Sequence, residues 1–404
     1  MSAPKPHRIT NHGPGTPDGP VLPATGTLTP PSAIDRGHVS KGEVAFPNWK
    51  GDEDRPAPAP VAPLPPDRRV RFAVVGLGRL SLEEILPAFA TCTKARAVAL
   101  VSGDPEKART VASQYGIAAD ALHDYAALDR LGPGVDAVYV VTPNGLHRAH
   151  VEAAARGKKH VLCEKPMANT SADARAMERA CADAGVKLMI AYRCQQEPFN
   201  VEAARIVQSG ELGRARVIEA TNTQMQGPGD QWRLKASLAG GGALPDIGLY
   251  CLNGVRALLG EEPVEVFATI VNPDGDPRYA EVEETVSFVL RFPSGAIANC
   301  ATSYGAHESK DLRVRLEKGS LDLENAFAYR GQRMRISKRD GDHESVTELR
   351  LAAKNQFALE IDHFASCILD GTEPKTTGAE GVRDHVLMEA LYRSAREGRP
   401  VRIG

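Results

Sequence analysis

In a chain of 404 residues with a formal net charge of −2, no block of like charges is long enough to hold a polyanion, so binding to nucleic acid or anionic lipid has no basis in the sequence. No apolar stretch approaches the ~18 residues that span a bilayer. The opening Met1-Ser2-Ala3-Pro4-Lys5-Pro6 lacks a hydrophobic signal region. A cytoplasmic protein is expected, or a periplasmic one if an export signal has been removed. Arg68-Arg69 imitates a twin-arginine signal, but the β-rich run Val70 to Val75 leads into a glycine turn and belongs to the fold. The seven cysteines are scattered, odd in number and without a Cys-x-x-Cys pair, which excludes a disulfide frame and predicts buried reduced thiols. Small molecules remain as the expected partners.

Residues 1–68 are rich in proline, interleaved with Gly, Thr and Asp and without helical or strand period, so they read as an extended or disordered arm. Phe46, Pro47 and Trp49 are its candidate anchors. Over residues 69–192, strand-like runs at Arg71–Val75, Ala97–Ser102, Ala137–Val141, His160–Cys163 and Lys187–Ile190 alternate with helices starting near Ser81, Asp104, Asn144 and Ser171. That alternation predicts an α/β fold, a parallel sheet covered on both faces. Over residues 193–404 the texture changes to longer alternating strands, among them Arg216–Thr223, Val264–Val271, Thr285–Phe292, Ala296–Ser303 and Leu312–Leu316. An α+β domain with a large, mostly antiparallel open sheet is expected, with the final helices returning to the junction.

Gly76-Leu77-Gly78 lies between a predicted strand and a predicted helix, the setting of a dinucleotide phosphate turn. The first glycine allows the tight turn, and the second lets backbone approach a pyrophosphate at a helix N-terminus. Ser81 occupies the third glycine position. The next strand ends Val101-Ser102-Gly103, without the carboxylate that would hold an NAD ribose. Arg79, Ser102 and Lys107 can instead surround a 2′-phosphate, so NADP is favoured over NAD, which Asp104 keeps open.

Glu164-Lys165-Pro166 follows the fifth strand-like run, at the sheet edge where ligands bind. Farther on, Asp246-Ile247-Gly248-Leu249-Tyr250 puts an acid and a phenol on one helical face behind Gly240-Gly241-Gly242, glycines that permit backbone to approach a ligand. A phenol is too weak a base at neutral pH without a cationic neighbour, and Lys165 is the strongest candidate. Tyrosine, lysine and nucleotide together suit removal of a hydride from a carbinol as its proton leaves. His147 and His150 stand three apart with no third ligand at matching spacing, so no metal site is expected and His147 is read as facing the cofactor.

Gly76-Leu77-Gly78, Leu100-Val101-Ser102-Gly103, Cys163-Glu164-Lys165-Pro166-Met167, the run Leu188 to Cys194, Gln231-Trp232-Arg233-Leu234 and Asp246 to Tyr250 together resemble the glucose-fructose oxidoreductase, inositol dehydrogenase and rhizopine-catabolism oxidoreductase family. Most members carry histidine at the place of Tyr250, and tyrosine narrows the likeness to members acting on sugars or dihydrodiols. The resemblance implies that Lys165, Asp246 and Tyr250 are catalytic and that Ser102, Lys107, Tyr125, Arg193, Trp232 and Arg233 touch NADP. Leu80, Pro143, Asn144, Glu164, Lys165 and Tyr329 complete the set expected at the cofactor. It also implies a tightly held nucleotide, an arm reaching over a neighbour, and a homo-oligomer built through the open sheet. Gln195 departs from the histidine that the resemblance places after Tyr-Arg-Cys.

The expected activity is oxidation of an aldose at C1 to a lactone, the hydride passing to a second sugar carbonyl with the cofactor retained. A sugar or dihydrodiol dehydrogenase with exchangeable NADP and a cofactor-dependent glycosidase are the alternatives. A nucleotide-sensing regulator would have no need of Lys165, Asp246 and Tyr250 together.

Overall fold

The computed structural model describes residues 62–404 apart from 228 and 230, and, as backbone, two short strands nearer the start. Residues 1–60 and 61–404 form separate units. In the first, β1 (His38–Ser40) pairs antiparallel with β2 (Glu43–Ala45), Val39 opposite Val44. This pairing corrects the reading of the segment as free of strand structure: each strand carries one β-branched valine. Phe46, Pro47 and Trp49 lie outside the described residues.

In the second unit, β3 (Val70–Val75), β4 (Ala95–Val101), β5 (Leu122–His123), β6 (Ala137–Val140), β7 (His160–Glu164) and β8 (Leu188–Ala191) form a parallel sheet in the order β5-β4-β3-β6-β7-β8. The strand order reverses beside β3, which opens a crevice at the carboxyl ends of β3, β4 and β6. Alternation along β3 serves both faces: Phe72 and Val74 enter one core, Ala73 and Val75 the other. Phe357, Ile361 and Phe364 of the late helix Gln356–Asp370 cover the first face, while the helix Gly378–Glu397 packs beyond β8 on the second. Full burial of each such side chain is worth about 1.5–3 kcal/mol.

β9 (Ala215–Met225), β10 (Glu265–Val271), β11 (Thr285–Arg291), β12 (Ile297–Ser303), β13 (Gly305–Leu316), β14 (Gly319–Glu324), β15 (Arg333–Asp340), β16 (His343–Leu349) and β17 (Val401–Arg402) form a second sheet, ordered β16-β15-β14-β13-β9-β12-β11-β10-β17. Only β9 and β12 run parallel. The helices Pro198–Ser209 and Leu249–Leu259 pack on one face, and Val217, Phe267 and Ile297 stand partly exposed outside that layer. All seven cysteines are buried and free. Among the described residues no helix is long and apolar enough to cross a membrane.

Candidate active site

The turn after β3 is closed by its own residues. Gly76 has φ +95°, and a Cβ there would stand 2.8 Å from Val141 O and Thr142 Cγ2. The buried Ser81 Oγ donates to Gly76 O at 2.6 Å, so serine at the third position ties the turn where glycine would only make room. Gly78 and Arg79 are exposed, and a Cβ on Gly78 would meet nothing within 4 Å, which leaves its backbone open to a phosphate. These features fit a dinucleotide. Asp104 caps the following helix, accepting from Glu106 N at 3.1 Å and Lys107 N at 3.0 Å. Its carboxylate is thus committed, while Lys107 is exposed one turn on. Ser102 is buried and accepts from Asp104 N.

At the other end of the crevice Lys165, at the end of β7, meets Asp246. Its ammonium donates to Asp246 O at 2.6 Å, lies 3.4 Å from Oδ1, and stands 4.5 Å from the centre of the Tyr250 ring. Asp246 sits in a wide π-helical turn, Leu244–Gly248, that precedes the helix Leu249–Leu259. Such a turn is a common device at functional sites, because it re-aims side chains without ending a helix. Asp246 Oδ2 accepts from Tyr304 Oη at 2.7 Å and Arg233 Nε at 3.1 Å. Burial alone would raise this carboxyl, but Arg233 and Lys165 outweigh it and hold the group at about 2, an anion throughout the ordinary range.

The guanidinium of Arg193 lies 4.8 Å from the Tyr250 ring centre and 4.4 Å from that of Tyr329, and donates to Phe327 O at 2.7 Å and Gln356 Oε1. Burial pushes the Tyr250 phenol above its ordinary value, and Arg193 is the largest opposing influence. Lys165 is thus not the one cation on this phenol: its ammonium, pinned to Asp246, and the Arg193 guanidinium both stand over the ring.

Arg79, Lys165, Arg193, Arg233, Asp246, Tyr250 and Tyr329 line one cleft of about 810 Å³. Arg330, paired with Glu84 at 3.0 Å, and Gln224 border it too. Ser102, Lys107 and Tyr125 group apart from it, beside the phosphate turn; Tyr125 stacks on His150 at 4.8 Å. Leu80 is half-buried against the first core and Pro143 half-buried at the start of its helix. Trp232 stacks under Arg233, its ring centre 4.5 Å from the guanidinium.

Four expected roles change. His147 is fully buried, with Nε2 2.7 Å from Thr142 O and Nδ1 near Pro166 O and Met167 O at 3.1 and 3.2 Å. Neither ring nitrogen is left for a cofactor, and the ring instead braces the segment after Lys165. The Asn144 amide is spent on Ala239 O at 2.8 Å, and Glu164 on Tyr139 Oη and Lys165 N. The glycine run approaches protein, not ligand: a Cβ on Gly242 would lie 2.0 Å from Glu283 O, and Glu283 binds the amides of Gly242 and Leu244. Tyr304, Gln356 and Glu360 were not anticipated, since no motif marks them and only the fold brings them near.

A family profile described as the oxidoreductase family with NAD-binding Rossmann fold matches residues 70–192, and one for the GFO/IDH/MocA C-terminal domain matches residues 200–322. The chain is 35% identical over 349 residues to the D-xylose 1-dehydrogenase (NADP+) of Haloarcula marismortui, covering 83% of this chain and 94% of that protein. It is 33% identical over 334 residues to D-xylose 1-dehydrogenase (NADP+) 2 of Haloferax volcanii, covering 82% and 99%. Among solved structures it is similar to the aldose-aldose oxidoreductase of Caulobacter crescentus complexed with glycerol, with 46% identity, a TM-score of 0.80, and coverage of 83% and 100%. The chain belongs to the GFO/IDH/MocA oxidoreductase family. It is an oxidoreductase built from a Rossmann sheet and a mostly antiparallel second sheet.

Proposed function

We propose that the protein is an NADP-dependent sugar oxidoreductase that oxidises an aldose at C1 to a lactone and returns the hydride to a second sugar carbonyl while retaining its cofactor. The observation that carries this reading is the convergence of Lys165, Asp246 and Tyr250 in one cleft with Arg193 and Arg233. The cofactor supplies the hydride acceptor in the first half-reaction and the donor in the second. Gly76, Gly78, Arg79, Ser102 and Lys107 would hold its phosphates and ribose, with Arg193 and Tyr329 at the reacting end.

Tyr250 Oη takes the proton of the C1 hydroxyl as the C–H bond breaks, and gives a proton to the acceptor's carbonyl oxygen in the second half. Lys165 keeps positive charge over the ring, which favours the developing phenolate, and Arg193 does the same from its own side. Asp246 fixes Lys165 and Arg233; held by three donors, it orients the machinery more than it binds sugar. The protonated phenol of the resting site is ready to act as an acid, so the carbonyl-reducing half is the one for which the groups are already in the right state.

A simple NADP-linked sugar dehydrogenase with exchangeable cofactor is the second reading, favoured by the names of the two haloarchaeal relatives. Dialysed protein mixed with a panel of aldoses, then with ketoses and lactones, tests both. Bound nucleotide that survives dialysis, is reduced by an aldose and is reoxidised by a second sugar supports retention. Turnover only with added NADP supports the dehydrogenase, and an inert panel removes the sugar reading.

A further inference from the structure

Behind the site, Tyr139 Oη on β6 lies 2.8 Å from Glu164 Oε1 and 3.0 Å from Glu360 Oε1. Tyr139 and Glu360 are wholly buried and Glu164 nearly so. A phenol has one proton to donate. It can serve one carboxylate, and the second short contact holds only if the other carboxyl carries a proton and donates to the phenol oxygen. Glu164 has the anion's surroundings: Oε2 accepts from Lys165 N at 3.2 Å, and the lysine ammonium is on the adjoining residue. Glu360 Oε2 has no partner among the described residues, which an ionised carboxylate in a dry interior does not tolerate.

We propose that Glu360 is a positioning residue held as a neutral carboxylic acid, donating to Tyr139, which donates to Glu164 and so fixes Lys165 from behind while keeping a second negative charge out of the site. Burial raises both carboxyls; Lys165 is the largest influence opposing it at Glu164, whereas Glu164 drives Glu360 further up. The charged and titratable groups facing Glu360 are Glu164, Tyr139 and Arg193, with the Cys194 thiol beside them. Gln356, one turn earlier on the same helix, holds Arg193, so a single helix face steadies both cations that flank Tyr250. With Glu360 neutral, Asp246 and Glu164 are the carboxylates at close range to Lys165 and Arg233. Ionising Glu360 adds a further negative charge behind Arg193 and weakens the stabilisation of a phenolate at Tyr250.

The activity consequence rests on the sugar-oxidoreductase reading; the proton itself does not. Glu360→Gln preserves the donor to Tyr139, so it should keep neutral-pH turnover within a few-fold of wild type. It should also move the alkaline fall of kcat upward by about one pH unit, a roughly tenfold gain beyond the wild-type midpoint. A profile superimposed on wild type, or loss of neutral-pH turnover in a folded variant, overturns the proposal. Carbon-13 carboxyl shifts of glutamate-labelled protein read the proton without any substrate. A glutamate carboxyl should remain protonated at pH 7, be absent in Glu360→Gln, and shift in Tyr139→Phe, which cuts the bridge. If every glutamate of wild type is ionised at pH 7, the proposal fails even if sugars turn over; if no sugar reacts but that resonance is present, only the functional reading fails.

Discussion

Tyr250→Phe removes one oxygen and leaves the ring. The ring carries much of the packing, with Lys165 Nζ 4.5 Å and the Arg193 guanidinium 4.8 Å from its centre, and Phe327 6.3 Å away. Attraction of a cation to an aromatic face survives loss of the hydroxyl, so the cost in stability should be about 1 kcal/mol, the net worth of one hydrogen-bonding group. In a domain of this size that moves Tm by about 2–4 °C. Loss of a positioned proton carrier costs turnover about 10²–10⁴-fold, or about 3–5 kcal/mol of barrier. The assay is stopped-flow reduction of bound nicotinamide by an aldose in a single turnover, with nucleotide content measured on the same sample. Because burial holds the phenol above its ordinary value, the wild-type oxidation rate should climb with pH through the neutral range, following the phenolate fraction, until ionisation of Glu360 reverses the rise. The reducing half, which uses the protonated phenol, should stay flat until the phenol ionises. The variant should bind nucleotide normally and lose that slope. A variant that reduces nucleotide at nearly the wild-type rate, with the slope intact, removes Tyr250 as the proton carrier.

Asp246 lies at about 2 against an ordinary 3.8, worth about 2 kcal/mol of stability that is fully present above pH ~4 and lost as pH falls towards 2. Urea denaturation of wild type and Asp246→Asn should show their difference shrinking over that window, and a difference that grows on acidification contradicts the assignment. Arg256 is buried between Asp384, Glu380 and Glu262, so Arg256→Met strands buried carboxylates and should cost about 3–5 kcal/mol in a denaturant titration. A loss under 1 kcal/mol would show that the acids simply take up protons. Lys107→Ala should weaken NADP about tenfold in a binding titration while leaving NAD unchanged, and equal weakening of both would move the 2′-phosphate elsewhere.

Local pattern sufficed for the frame. Apolar runs after glycine turns gave the parallel strands, and Asp104-Pro105 announced a helix whose capping bonds the structure contains. β15 and β16 were not foreseen because Arg333–Asp340 and His343–Leu349 are largely exposed and so lack the alternation that burial imposes. The motifs located Lys165, Asp246 and Tyr250, but spacing along a chain says nothing of which partner a side chain takes. Asp246 competes for the lysine with a backbone and a side-chain oxygen, and wins it from the phenol. His147 was misread for a similar reason: helical spacing shows a face, whereas the carbonyls of Pro166 and Met167 that occupy its ring come from another turn. Tyr304, Gln356 and Glu360 act across separations no local signal records.

The site is thereby placed on the seam between two sheets, and its bonds cross that seam. Lys165 follows the first sheet and is fixed by Asp246 of the second part, while Arg193, just past β8, takes carbonyls from the segment after β14 and an amide from a helix that returns to the first sheet. Each cation takes at least one group from the opposite side, so the positive charge around Tyr250 depends on the two sheets keeping register. A cofactor seated along the first sheet and a sugar resting on the second would each press on the same set of bonds. The contacts that set the charge around the phenol are also contacts between the two sheets, so a substitution that breaks one of them should disturb both.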